Sequence, residues 1–134
     1  MLPDHLRDLI AAHMPIIALA EAGPSASDLA DAPQLDHWMA MREFTGRIVL
    51  FGDVTGHPLL RNTGIVTSQL FGIDTKAGWA RTLSRWYRLG RPLAPDNGTC
   101  PFGFRPLANP DTLAAALAAH ADEIRRLAAE ARDQ

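Results

Sequence analysis

In the segment GDVTGHPLL, Asp53 and His57 stand four residues apart. A carboxylate beside an imidazole is the pairing that orients a general base and stabilises its charged form. A nucleophile would have to come from Ser68, Ser84 or Cys100, and no Gly-x-Ser-x-Gly elbow, local cysteine signature or paired-carboxylate spacing accompanies them. A histidine just ahead of a proline also has a plainer use, which is to cap the turn through a backbone hydrogen bond. That use is weighted above catalysis, so a non-enzymatic protein is expected and no catalytic residue is assigned. A small hydrolase-like enzyme centred on His57 and Asp53 stands as an alternative.

Metal and nucleotide chemistry find less support. The histidines His5, His13, His37, His57 and His120 show neither a His-Glu-x-x-His motif nor Cys/His pairs at ligand spacing. His5 and His13 are more than two helical turns apart, too far to share an ion. His120 interrupts an apolar helical seam and reads as a hydrogen-bonded seam residue or a register-setting polar group. No Walker loop occurs, and no Gly-x-Gly-x-x-Gly follows a strand. Neither a metal nor a cofactor is expected.

The richest constellation is WARTLSRWYRLGRP, where Trp79, Trp86 and Tyr87 alternate with Arg81, Arg85, Arg88 and Arg91. Three uses compete for it. The first is internal packing, with tryptophans in the core and arginines paired to acidic helices. The second is a protein interface, because Trp, Tyr and Arg dominate binding energy at interfaces. The third is nucleic acid, where arginines meet phosphates and aromatic faces stack on bases. A pI near 6.2 lies below that of a dedicated nucleic-acid domain. The expected binding surface is Arg81, Arg85, Trp86 and Arg88, with a protein partner expected and nucleic acid as the rival.

These residues must be positioned by a chain of 134 residues, which is expected to form one domain. With 47% hydrophobic and 21% charged residues the composition is that of a globular protein. The net charge of −2 hides a basic middle, net +5 over residues 46–106, between acidic ends of −5 and −2. Twelve of the 13 basic residues are arginine, a bias that a GC-rich coding sequence alone would produce. The single cysteine excludes an internal disulfide framework and suits a reducing compartment. No membrane span is legible, and acids rather than bases open the N-terminus, so a cytoplasmic protein is expected.

The periodicities predict an α+β fold. Residues 1–45 read as helical: Pro3 starts a first helix whose stripe includes Leu6, Leu9, Ile10 and His13. Pro15 should kink or end it, with Ile16, Ile17 and Leu19 able to continue for a turn or two. Ser25 or Ser27 caps a short second helix, and Gln34–Met41 reads as an irregular or helical connector. Residues 46–90 read as a β-meander of about three antiparallel strands: RIVLFGDV, GIVTSQLFGID and WARTLSRWYRL. The last run also fits a helix, but Gly78 and Gly90 bound it and the strand is preferred. Residues 91–109 form a Gly/Pro-rich loop. Asn109 and Pro110 then open a helix over 110–132 with an apolar seam at Leu113, Leu117, His120, Ile124, Leu127 and Ala131. That seam can cover the small sheet or join a second copy in a homodimer.

The runs GPSASDLADAP, LDHW, GDVTGHPLL, GIVTSQL and GWARTLSRWYRLG together resemble a family of small uncharacterised alphaproteobacterial proteins, often found on plasmids and in prophage-like regions. The likeness covers roughly residues 23–91. It lends no catalytic or binding residues, and marks as pattern positions the turn Gly56, His57 and Pro58, with Thr67, Ser68, Thr82, Ser84, Arg85, Tyr87 and Gly90. It implies an accessory protein of the mobile genome.

Overall fold

The structure, a computed structural model, describes residues 2–93, 104–107 and 109–132. Helix α1 (Asp4–Ala22) and the short α2 (Ala26–Ala30) precede β1 (Gln34–Arg42) and β2 (Ile48–Thr55). Strands β3 (Thr63–Val66), β4 (Leu70–Asp74), β5 (Trp79–Thr82) and β6 (Trp86–Leu89) follow. The two-residue β7 (Arg105–Pro106) and α3 (Pro110–Arg132) complete the described elements. No helix among the described residues is long and apolar enough to cross a membrane.

The fold is α+β, but the small antiparallel sheet of about three strands is not what forms. The described residues build one mixed seven-stranded sheet in the order β3-β2-β1-β6-β5-β4, with β7 added to β1. Four local features account for the difference. Residues 34–42, expected as a connector, are the central strand β1, which pairs antiparallel with β2 and parallel with β6. Its alternation is masked by a bulge: Asp36 faces Asp53 and Met39 faces Phe51, so His37 and Trp38 together oppose Gly52. The extra residue moves the core-facing set from Leu35 to Ala40 and puts His37 at φ 50. Gly52 has no alternative there, because a Cβ would lie 2.7 Å from Leu35 Cγ and 2.9 Å from the Asp36 carbonyl oxygen.

The run at 79–89 is extended, as preferred, yet it is two strands. A tight turn at Leu83–Ser84 separates them, closed by Thr82 N–H donating to the Arg85 carbonyl at 2.9 Å. The run expected as the strand GIVTSQLFGID divides in the same way, into β3 on β2 and β4 on β5, and β7 adds a short strand within the 91–109 stretch expected as a loop.

Other local signals appear where their chemistry calls for them. Asp74 Oδ1 accepts from the Lys76 and Ala77 amides at 3.0 and 2.9 Å, and Gly78 closes the β4–β5 hairpin at φ 84. Ser25 and Asp28 form a capping box at α2, and Asn109 Oδ1 accepts from Asp111 and Thr112 to cap α3. Helix α1 continues past Pro15 to Ala22, so the proline does not end it. The residue lacks an amide hydrogen, but Ala11, whose carbonyl loses its donor, is exposed and can bind water instead.

Leu35, Ala40, Leu50, Val54, Leu70 and Tyr87 are among the residues that fill the main core, joined by Leu113 of α3. The sheet curls enough for β2 and β4 to touch, and Thr67, just ahead of β4, accepts at Oγ1 from Leu50 N–H of β2. A second core joins the helices to β4 through Ile17, Ala20, Phe71 and Ile124. Of the α3 seam, Leu113 and Ile124 are buried within the chain, while Leu117, His120, Leu127 and Ala131 are half-buried. Each large aliphatic side chain buried in this way contributes about 1.5–3 kcal/mol.

Candidate functional site

The register of β5 and β6 divides the arginine–aromatic constellation. Trp79 pairs with Arg88 and Arg81 with Trp86, so these four side chains share one face. There the Trp79 and Trp86 rings meet edge to face at 5.5 Å, and Arg81 Cζ sits 5.3 Å from the Trp86 ring centre. Arg81 Nε donates to the Thr82 carbonyl at 2.9 Å, and burial pushes its pKa below the ordinary value against the pull of Asp28. Arg88 Nε donates to the Ala32 carbonyl at 3.0 Å. Trp86 is buried. This face therefore packs against the helical N-terminal segment, with Trp86 buried and Arg88 exposed beyond its one bond to the Ala32 carbonyl.

Arg85 directly follows the Leu83–Ser84 turn, ahead of Trp86, and is not part of that face. It lies close enough to His57 to disfavour that ring's protonation and close enough to Tyr87 to favour phenolate. Burial acts first in both cases, lowering the His57 pKa and raising that of Tyr87. No carboxylate comes within ion-pair distance of Arg85 among the described residues.

His57 itself is occupied by the backbone. Its Nδ1 accepts from Leu59 N–H at 3.0 Å and Leu60 N–H at 3.2 Å, which holds the Gly56–Leu60 turn together. Asp53 instead faces His37, with Nδ1 to Oδ2 at 3.1 Å across β1 and β2. Ser68 Oγ pairs with Ser84 Oγ at 2.9 Å, and Cys100 lies outside the described residues. The acid, base and nucleophile of a hydrolase are not assembled among the described residues. The turn instead presents Leu59 and Leu60, 80% and 45% exposed, at the end of the sheet where Arg85 lies. Sequence reading missed this pair, although two leucines directly after a Gly-His-Pro turn were the available signal.

A profile for a family of unknown function, DUF6634, matches residues 7–100. The chain belongs to that family. Comparison with curated proteins and with solved structures gives no match. The DUF6634 match is wider than the resemblance read from residues 23–91, taking in most of α1. It includes His13, the Gly56–Leu60 turn and the arginine–tryptophan face, whereas β7 and α3, with His120, lie beyond it.

This DUF6634 chain has a second polar assembly that the sequence did not connect. His13 Nδ1 and His120 Nε2 lie 3.0 Å apart, joining α1 to α3 across 107 residues of chain. Phe71 of β4 packs edge-on against both rings, at 4.8 and 5.6 Å between centroids. Burial lowers both pKa values; His120 and Arg47 lower that of His13 further, while Glu123 opposes the shift at His120. Both histidines fall on the apolar stripes of their helices, which was the legible half of the signal. Among the described residues no group of three or more His, Cys, Asp or Glu side chains could hold a metal ion.

Proposed function

We propose that this DUF6634 chain is a non-enzymatic accessory protein that binds a protein partner through the sheet end carrying Leu59, Leu60 and Arg85. The observation that carries the reading is the 80% exposure of Leu59 on a turn whose backbone is tied to the His57 ring. Water is left against an apolar side chain that local structure holds in place, so a partner gains burial without first ordering the turn. Arg85 adds a cation with no carboxylate within ion-pair distance among the described residues. The complementary segment is apolar with an adjacent Asp or Glu. Of the surface expected from sequence, Arg85 is the member beside the Gly56–Leu60 turn, whereas Trp86 is buried and Arg88 is exposed on the face it shares with Trp86. The resemblance to proteins of plasmids and prophage-like regions supports an accessory role in the mobile genome.

Panning a displayed random-peptide library against the purified chain tests the reading. Selected peptides should pair an apolar residue with an acid and lose binding to Leu59→Ser and Arg85→Glu. Peptides with no such bias, or binding indifferent to both variants, would overturn it. An electrophoretic titration with short single- and double-stranded DNA and RNA at two salt concentrations addresses the nucleic-acid rival. Binding that falls steeply with salt and is lost in Arg85→Glu would replace the protein partner with a phosphate backbone.

A further inference from the structure

We propose that the cavity between α3 and the β1–β2 connection is a binding site for a small carboxylate with a short apolar tail. The cavity measures about 310 Å³, and Arg42, Gln69 and His120 are its principal polar side chains. Ile48, Leu70 and Leu117 supply apolar wall. A pocket of this size with a few convergent polar groups on an apolar lining is the usual form of a small-molecule site.

Three observations choose the sign and shape of the ligand. Arg42 Nη1 donates to the Gly46 carbonyl at 3.0 Å, and no carboxylate pairs with Arg42 among the described residues, so the rest of its fork is available to an anion. His120 Nε2 faces both His13 Nδ1 at 3.0 Å and Gln69 Nε2 at 3.2 Å. A ring nitrogen offers one lone pair or one hydrogen and cannot serve both neighbours fully, so the Gln69 amide has hydrogen-bonding capacity to give to a ligand oxygen. The local charge also opposes a cation. Arg42 lines the cavity, Arg47 acts on His13, and the carboxylate that acts on His120, Glu123, is bonded to Arg126. Among the described residues, a divalent metal at the histidine pair would meet the Arg42 guanidinium and carboxylates already paired to arginines, Glu43 to Arg47 at 3.8 Å and Glu123 to Arg126. A carboxylate would accept from Arg42 and Gln69, and its tail would cover Leu70 and Leu117.

The test is an NMR titration of the ¹⁵N-labelled full chain with sodium hexanoate near pH 7.5, above the ordinary histidine pKa of about 6.5. Hexan-1-ol and hexylamine serve as isosteric controls. Saturable shifts at the Gln69 side chain, Leu70 and Ala116 are expected with hexanoate. The alcohol should bind about tenfold more weakly, as should hexanoate to Arg42→Gln, because each change removes a charge-assisted hydrogen bond. Arg42→Lys should restore part of the affinity. Ala116→Leu, which fills the cavity and leaves the guanidinium in place, should abolish saturation and keeps the test decisive if Arg42→Gln fails to fold. Absence of saturable shifts with hexanoate, equal binding of hexylamine, or hexanoate shifts that persist in Ala116→Leu would overturn the site.

Discussion

His13 and His57 are the same residue put to opposite uses. His13 is buried between two helices and a strand, where its Nδ1 meets another ring and its loss would disturb the second core. His57 stands on a surface turn, where its Nδ1 gathers two amide hydrogens and fixes the presentation of Leu59 and Leu60. The first holds elements that are distant in sequence, and the second holds four consecutive residues. On the proposed reading stability and recognition are separable: the helix–sheet seam carries the former, and the sheet end is assigned the latter.

That separation can be broken at either end, beginning with the largest effect. Ile124 is 1% exposed and lies in the same core as Phe71 and Ile17. Ile124→Ala should lower the unfolding free energy by about 2–4 kcal/mol in urea titration. A loss below about 0.5 kcal/mol, the range of ordinary surface changes, would mean that the seam does not hold the helices to the sheet.

The pH dependence sharpens the same comparison. The folded-state pKa values of His13 and His120 are both depressed from 6.5, chiefly by burial. Below about pH 6.5 the unfolded chain binds protons that the native pair does not, so stability should fall as pH drops through that range. Above it the contribution is complete. The two rings titrate as a coupled pair, and His120→Gln, which keeps a hydrogen-bonding group without a titrating one, should flatten the fall. An unchanged slope in that variant would place the acid sensitivity elsewhere.

Smaller effects belong to the turn. His57→Ala leaves the Leu59 and Leu60 amides to water and should cost about 1 kcal/mol or less, comparable with loss of a helix cap. The change should also speed hydrogen exchange at those two amides. Leu59→Ser should alter stability by no more than about 0.5 kcal/mol, while removing peptide binding. A Leu59→Ser variant that melts well below the parent would show the leucine to be structural, and the division between the two regions would fall.

Features that depend on a few neighbouring residues were legible from the chain alone. Asn109-Pro110 announces the start of α3, Ser25 or Ser27 announces α2, and Asp74 with Gly78 announces a hairpin, because each is completed by hydrogen bonds within three or four residues. The α+β class followed from the change of period near residue 46. The size of the sheet did not, because the bulge at His37–Trp38 breaks the alternation of β1 and the turn at Leu83–Ser84 hides inside a run that reads as one strand. The site residues divide in the same way. Asp53 is nearer in sequence to His57, yet the β1–β2 register hands it to His37; His13 finds His120 only when α1 and α3 pack against Phe71. Local hydrogen bonding and periodicity are properties of the sequence itself. Strand register, the side a residue faces after a bulge, and the meeting of groups 107 residues apart are decided by burial of the common core, and only the tertiary structure records them.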